Sequence, residues 1–224
     1  MSRRETGSTT TEPAESGAAR GPDPGVVTGP GGGRGYGTRP WVRDLAARVR
    51  LTPGLAVLTG GQTGVDTAAA LAALRAGLPV HVAFPAGLRQ EDGPLTEARR
   101  RALRGAVLHE LPSATFAERT WACVSLADAV ALIDPAGGEG CEETARAAAV
   151  LARPLLRLGA GSVRPGAVAE WLERQDARVL QVAGCRGSLL AGSGTEPLAR
   201  SLVAAIVAGA RLRHRVLTGA DAAG

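Results

Sequence analysis

The stretch from Leu55 to Leu78 constrains the fold of this chain more than any other part of the sequence. It opens with small and apolar residues up to Thr59, which predict a short buried strand. A tight glycine loop follows, and apolar residues then recur at helical spacing until Gly77 ends the pattern. Local sequence alone therefore predicts a strand, a glycine loop and a helix in this order. The residues of the loop are Gly60, Gly61, Gln62, Thr63 and Gly64.

This first glycine loop predicts a site for an anion. A helix that begins directly after a loop leaves its first backbone N–H groups without helical partners, and the helix dipole adds partial positive charge there. A phosphate is the usual occupant of such a position. Glycine lets the backbone approach the anion closely, and Gln62 and Thr63 add side-chain hydrogen bonds. The loop alone is equally consistent with a turn that binds nothing.

A second unit of strand, glycine loop and helix starts at Asp128. Residues 128–133 (DAVALI) predict a buried strand, and alanines at helical spacing from Ala145 predict the helix. Ligands of open parallel sheets bind beyond the carboxyl ends of the strands, where the two loops can face each other across one crevice. The pair of loops therefore favours a small phosphorylated ligand. The predicted binding residues of the second loop are Gly137, Gly138, Glu139, Gly140 and Cys141.

The rest of the sequence alternates between strand and helix patterns. This alternation predicts an α/β protein with a parallel sheet of about six strands and helices on both faces. Ser113 is a predicted N-cap for the helix before Asp128. The further strand patterns cover residues 79–84, 107–111, 155–158 and 178–183, the last helix covers 198–210, and loops are expected over 85–96 and 185–197.

The two ends of the chain differ in composition from its middle. Residues 1–40 are rich in Gly, Pro, Ser, Thr and Glu and have almost no large apolar side chain, so we expect a disordered tail. Trp41 to Val49 has the apolar spacing of one outer helix, and residues 211–224 are predicted to be a frayed tail. The sequence thus predicts a single domain over residues 41–210.

The charge of the chain does not indicate a nucleic-acid-binding protein. The net charge is +5, but every basic residue is Arg, and the arginines are mostly scattered without aromatic residues for stacking. The three cysteines show no CxxC pairing, and the three histidines have no metal-ligand spacing, so neither a disulfide framework nor a metal site is predicted. The sequence shows no signal peptide and no apolar run of the ~20 residues that span a membrane, so we expect a cytoplasmic protein.

Four motifs resemble those of the molybdenum cofactor carrier family. The sequence LTGGQTGVDTAAALAAL, residues 58–74, resembles the SGGQTGVDRAALDAA opening of that family. Residues 91–94, 119–128 and 182–188 are similar to its EDGP, RT…D and VAGPRES motifs. The similarity extends over about residues 55–206, which is nearly all of the predicted domain.

The resemblance implies a Rossmann-like fold, related to the lysine-decarboxylase-like proteins that include the cytokinin-releasing phosphoribohydrolases. It also implies a carrier that binds molybdenum cofactor (molybdopterin), a phosphorylated pterin carrying molybdenum, and that forms homo-oligomers. We therefore expect a binding protein rather than an enzyme, with no catalytic residue and with the cofactor held by the two glycine loops. Asp66 would bond a pterin or loop amide, although it is also consistent with an acid that only stabilises the helix start.

The chain departs from the family pattern at several positions. The family usually has Lys and Arg before EDGP, but this chain has Ala86 and Leu88 at those positions. Arg89 is the nearby cation that remains, so Arg89 is a predicted ligand contact. Leu126 replaces a polar residue, and Cys185 replaces the Pro of VAGPRES. These substitutions keep a further hypothesis open, a divergent sensor or an oligomeric scaffold that has lost its ligand.

The second loop also resembles the PGGxGTxxE signature of the phosphoribohydrolases, which gives the enzyme hypothesis. Thr144 stands in place of the final Glu, the acid–base residue of those enzymes, and Cys141 in place of Thr. Glu143 lies one position earlier, about 100° away around a helix, so we expect it to point elsewhere. Cys141 is either a reactive or metal-contacting thiol with a lowered pKa, or a small packed residue. The acidic residues of the loop suit either the helix dipole or a bridging divalent cation.

Overall fold

The structure is a computed structural model that describes residues 39–220. Nearly all of the predicted N-terminal tail, residues 1–38, and the last residues, 221–224, lie outside the described residues. The predicted disorder of residues 1–40 therefore remains a prediction. None of the described helices is both long enough and apolar enough to cross a bilayer.

Within residues 39–220, eight strands form two sheets, and the larger sheet contains six parallel strands. The other two strands pair as an antiparallel hairpin inside the predicted loop over residues 85–96. The strands are β1 (Ala56–Thr59), β2 (Val80–Phe84), β3 (Arg89–Gln90), β4 (Gly93–Pro94), β5 (Val107–Glu110), β6 (Ala129–Ile133), β7 (Leu155–Leu158) and β8 (Val179–Gly184).

Eight helices lie in the described part of the chain, and they cover both faces of the larger sheet. One face packs against α2, α6 and α8, and the other against α1, α4 and α5, with Trp121 fully buried in the second layer. The predicted α/β, Rossmann-like architecture is confirmed. The helices are α1 (Pro40–Arg50), α2 (Val65–Arg75), α3 (Glu97–Ala102), α4 (Phe116–Leu126), α5 (Glu139–Val150), α6 (Pro165–Arg174), α7 (Gly187–Ser193) and α8 (Glu196–Thr218).

The order of strands in the larger sheet is β5-β2-β1-β8-β6-β7. The last strand of the chain, β8, therefore lies in the middle of the sheet, between β1 and β6. Because all three strands are parallel, their carboxyl ends are neighbours at one edge of the sheet. The two predicted glycine loops follow β1 and β6, so the segment that follows β8 lies between them.

The end of the chain differs from the sequence prediction. Helix α8 continues to Thr218, so residues 211–218 are helical and are not the frayed tail that was predicted. Two polar side chains hold these last turns to the domain: Arg213 pairs with Asp176 at 3.1 Å, and the His214 ring lies 3.1 Å from the backbone N–H of Leu55. Apolar periodicity did not reveal this packing because the residues that make it are charged or polar.

Two other local predictions are corrected. The predicted loop over residues 185–197 contains the two-turn helix α7, which ends where Gly194 adopts the left-handed conformation with φ 69°. Helix α4 is capped by Thr115 rather than by Ser113, because the Thr115 hydroxyl accepts a hydrogen bond from the Glu118 N–H at 3.3 Å. The Ser113 hydroxyl instead accepts a hydrogen bond from the Thr115 N–H at 3.2 Å.

Candidate functional site

A cleft of about 350 Å³ opens at the carboxyl ends of β1, β8 and β6. Its walls are the first turns of α2, α4 and α5 and the segment that follows β8. This volume lies in the range of about 300–1,000 Å³ that is usual for small-ligand sites, and the position is the one at which open α/β sheets bind ligands. We therefore take this cleft as the candidate functional site.

The first glycine loop uses several of its backbone N–H groups inside the protein. The Gln62 N–H donates to Asp66 Oδ2 at 3.2 Å, and the Thr63 N–H donates to Gln62 Oε1 at 3.1 Å. The Val65 N–H, the first of α2, donates to the carbonyl of Cys185 at 3.1 Å. An anion that used these three N–H groups would have to displace acceptors that belong to the protein. The loop therefore contributes to the cleft mainly through the side chains of Gln62 and Asp66, which line it.

Two glycines of this loop allow other parts of the chain to approach closely. A Cβ atom on Gly64, whose φ is 77°, would lie 2.5 Å from the Cys185 carbonyl oxygen and 2.6 Å from the Gly187 nitrogen. A Cβ atom on Gly60 would lie 1.2 Å from Nη1 of Arg119. Gly64 thus brings the segment after β8 against the loop, and Gly60 gives the guanidinium group its space.

Asp66 and Arg119 form a buried ion pair behind the first loop. Asp66 Oδ2 lies 3.1 Å from Arg119 Nη1, and the two side chains are only 4% and 9% exposed. Burial raises the pKa of Asp66, and the positive charge of Arg119 acts in the opposite direction. Within the described residues, Nε of Arg119 is buried without a hydrogen-bond partner. Asp66 therefore fixes both the loop, through the Gln62 N–H, and a cation that lines the cleft.

Glu91 of the EDGP motif connects the first loop to the start of α7. Its Oε1 accepts hydrogen bonds from the Thr63 hydroxyl and from the Ser188 N–H, and its Oε2 accepts from the Ser188 hydroxyl at 2.5 Å. Burial raises the pKa of Glu91, but the hydrogen bonds from Ser188 and Thr63 outweigh this effect and lower the pKa below its usual range. Arg89, two residues earlier, is exposed on β3 and does not line the cleft.

The second glycine loop shapes the start of α5. Gly137 and Gly138 adopt positive φ angles of 73° and 130°, and the Gly138 carbonyl accepts hydrogen bonds from the N–H groups of Cys141 and Glu142. The first residues of α5, from Glu139 to Cys141, then line the cleft. The partial positive charge of a helix start is therefore directed at the cleft from this side.

Thr144 and Glu143, one turn into α5, also line the cleft. The Thr144 hydroxyl donates to the Gly140 carbonyl at 2.9 Å. The carboxylate of Glu143 accepts a hydrogen bond from Trp121 Nε1 at 2.6 Å and pairs with Arg146. Glu143 thus reaches the cleft, contrary to the expectation from the helix angle, but its carboxylate is held by two donors of the protein.

Three buried polar side chains converge beside the start of α5. The Sγ atoms of Cys141 and Cys185 are 3.7 Å apart, and Cys185 Sγ lies 3.4 Å from Asp134 Oδ1. Burial raises the pKa of both thiols, and the neighbouring Asp134 carboxylate adds to the effect on Cys141. Of the two alternatives for Cys141, the raised pKa and the burial agree with a small packed residue and not with a thiol of lowered pKa.

A family model described as the circularly permutated YpsA SLOG family matches residues 57–207 of the chain. The chain belongs to this family. Among solved structures, the protein named Putative molybdenum carrier protein from Syntrophus aciditrophicus SB is similar to it, with 23% sequence identity and a TM-score of 0.56. The match covers 69% of this chain and 96% of that chain, and at this identity it shows a shared fold alone. No curated protein matches the sequence.

In this member of the circularly permutated YpsA SLOG family, the position of β8 determines which of the predicted residues share the cleft. Because β8 lies between β1 and β6, the segment after β8 separates the two glycine loops. Several predicted residues do not line the cleft: Arg89, Thr63 and every glycine of the two loops except Gly140. The predicted residues that do line it are Gln62, Asp66, Glu139, Gly140 and Cys141.

Sequence reasoning did not assign a site role to four polar residues that line the cleft. Arg119 and Thr120 belong to the RT…D segment, and Cys185 and Arg186 belong to the segment similar to VAGPRES. Their positions in the chain could have indicated a site role, because Arg119 and Thr120 lie near the start of α4 and Cys185 and Arg186 directly follow β8. Such positions face the carboxyl edge of a parallel sheet, where sites are built.

Proposed function

We propose that the cleft binds a small phosphorylated ligand. The observation that carries this proposal is the convergence of positive groups on one cleft: the start of α5, the guanidinium of Arg119 and the guanidinium of Arg186 all line it. Helix starts and arginine side chains are the groups that proteins use for phosphate, and Arg binds it with two parallel hydrogen bonds. Arg186 Nε lies 3.9 Å from Glu91 Oε2, and the Arg186 side chain is 46% exposed, so its guanidinium can also reach a ligand at the mouth of the cleft.

We further propose that this ligand is the molybdenum cofactor and that the protein acts as its carrier. The family resemblance and the name of the similar structure from Syntrophus aciditrophicus SB support this choice. Gln62, Asp66, Gly140 and Cys141 would contact the ligand directly. The remaining predicted residues of the two glycine loops would act by shaping the walls of the cleft, as Gly64 does against the segment after β8.

The acidic residues of the cleft fit a ligand that binds with a divalent cation. Glu139 and Glu143 line the same cleft as the two arginines. A carboxylate within a few ångströms of a phosphate is repulsive unless a cation lies between them. We propose that Glu139 holds such a cation, since the carboxylate of Glu143 already pairs with Arg146. The resemblance also supports a homo-oligomer, which light scattering of the purified protein would measure.

A thermal-shift comparison tests the proposed site through Arg186. At a cofactor concentration of about 100 times the dissociation constant, binding stabilises the wild type by ~2.7 kcal/mol, which raises Tm by roughly 5–10 °C. Arg186→Gln removes a charge-assisted contact of about 1.5–3 kcal/mol, so its affinity should fall by roughly 10–100-fold and about half or more of the shift should disappear.

The matched control is Arg200→Gln, because Arg200 is an exposed arginine of α8 that does not line the cleft. This variant should show the same ligand-induced shift as the wild type. Equal shifts in all three proteins would place the ligand outside the cleft. No shift in the wild type, with the cofactor or with nucleotides, would reject the carrier proposal.

A further inference from the structure

We propose that Asp134, Cys141 and Cys185 form a binding site for a divalent cation that prefers thiolate ligands, with Zn²⁺ as the best geometric match. The three residues come from three separate segments: the end of β6, the start of α5 and the residue after β8. One potential ligand atom from each of them lies within 4.8 Å of the other two. The side chains are buried, with Cys141 2%, Cys185 1% and Asp134 8% exposed.

The distances agree with those of a tetrahedral zinc site. With Zn–S bonds of about 2.3 Å, two sulfur ligands of a tetrahedral ion lie about 3.8 Å apart. The Sγ atoms of Cys141 and Cys185 are 3.7 Å apart. With a Zn–O bond of about 2.0–2.2 Å, a sulfur and an oxygen ligand lie about 3.5–3.7 Å apart. Cys185 Sγ lies 3.4 Å from Asp134 Oδ1, so the ligands need little movement to enclose the ion.

The two cysteines are free thiols, with their sulfurs in contact but not bonded. A disulfide requires an S–S distance of about 2.05 Å, so the two sulfurs would have to approach each other by more than an ångström. Small packed cysteines would explain burial, but packing alone does not require a carboxylate beside both thiols. In proteins, soft thiolate ligands select ions such as zinc and copper(I) over magnesium and calcium.

Arg157 holds the carboxylate of Asp134 in a position suited to this role. Its guanidinium donates to Oδ2 of Asp134 from Nε at 3.1 Å and from Nη2 at 2.5 Å, which leaves Oδ1 directed at Cys185. Such a hydrogen-bonded neighbour commonly orients a metal ligand. When the ion binds, each thiol releases its proton to solvent as its sulfur bonds the metal. Two thiolates, one carboxylate and one divalent ion leave a net charge of −1, and Arg157, which also pairs with Glu142, is the neighbouring cation.

The site has an entry path and an open position. Both cysteines line the cleft, so an ion can enter from solvent, and a water or a ligand in the cleft can complete its coordination. Cys185 stands where the VAGPRES motif has Pro, and Cys141 where the hydrolase signature has Thr. The inference does not depend on which phosphorylated ligand the cleft binds.

A cobalt titration tests the site with the metal alone. The full chain is purified under reducing conditions, stripped of metal and titrated with Co²⁺, which reports thiolate ligation by a charge-transfer absorption band in the near ultraviolet. We expect saturation at one ion per chain and displacement by Zn²⁺, which binds such sites more tightly than Co²⁺. Absence of the band in the folded wild type would overturn the proposal. A Cys141–Cys185 disulfide in protein purified without reductant, together with no Co²⁺ band after that protein is reduced, would identify the pair as a redox cross-link instead.

Three variants locate the bound ion. Loss of a residue that only orients a metal ligand typically weakens metal binding by ~10–100-fold. Cys141→Ser and Cys185→Ser should each weaken Co²⁺ binding by more than this, because each removes a ligand. Arg157→Leu should weaken it within that smaller range while keeping the thiolate band. The control is Cys123→Ala, because Cys123 is a buried free cysteine that does not line the cleft. An unchanged band in both serine variants, or equal loss in Cys123→Ala, would refute the assignment.

Discussion

The replacement Asp66→Asn tests how the buried ion pair supports the cleft. In the folded protein Asp66 accepts hydrogen bonds from Arg119 Nη1 at 3.1 Å and from the Gln62 N–H at 3.2 Å. Asparagine keeps the shape of the side chain but leaves the buried guanidinium of Arg119 without its counter-charge. Removing one partner of a buried ion pair typically costs about 3–5 kcal/mol. For a domain of this size that loss lowers Tm by roughly 6–20 °C.

The assay is urea unfolding of Asp66→Asn, Arg119→Met and the double variant. Because the double variant leaves no unpaired buried charge, its loss of unfolding free energy should be smaller than the sum of the single losses by about 0.5–3 kcal/mol. The control is Glu196→Gln, which breaks an exposed pair with Arg200 on α8 and should cost less than about 1 kcal/mol. A cost for Asp66→Asn no larger than that of Glu196→Gln, or strictly additive losses, would refute the account of the pair.

Two more predictions concern histidine protonation and catalysis. Burial, followed by the charges of His81 and Arg48, lowers the pKa of His109 from 6.5 to about 4. Between these two pH values the unfolded state binds more protons than the folded state. The protein should therefore lose up to about 3 kcal/mol of stability as the pH falls from 6.5 to about 4. Urea unfolding at a series of pH values should show that His109→Gln loses less unfolding free energy on acidification than the wild type. An equal loss in both proteins would contradict the assignment to His109. Because Thr144 stands where the hydrolases have their acid–base Glu, the purified protein should not release adenine from AMP. Turnover of ~1 s⁻¹ or more in a chromatographic assay would favour the enzyme hypothesis.

The fold was predictable because its signals are local. Most strands of the larger sheet are short runs of mainly apolar residues, and each glycine loop lies between a strand and a helix, as in Leu55 to Leu78. The order of the strands was not readable in this way, because the place of β8 between β1 and β6 depends on contacts between distant segments. The helical end of α8 was missed for the same reason, since Arg213 and His214 bond to residues far away in the chain.

The site was predictable in position but not in its contacts. The sequence predicted Gln62, Asp66 and the start of α5 at one edge of the sheet, and in the structure these residues line one cleft. The N–H groups of the first loop were expected to be open to an anion, but Asp66 and the carbonyl of Cys185 accept two of them. A substitution at Gly64 would also be a poor test of ligand binding, because any Cβ there collides with the backbone after β8.

Native mass spectrometry is the most direct test of the central proposal, that the cleft carries the molybdenum cofactor. The wild type and Arg186→Gln are purified from a host that makes this cofactor, and elemental analysis measures molybdenum in the same samples. The wild type should retain a mass equal to the cofactor together with molybdenum, and Arg186→Gln should have lost most of both. A wild type that carries neither the mass nor the metal, or a variant that carries as much as the wild type, would contradict the proposal.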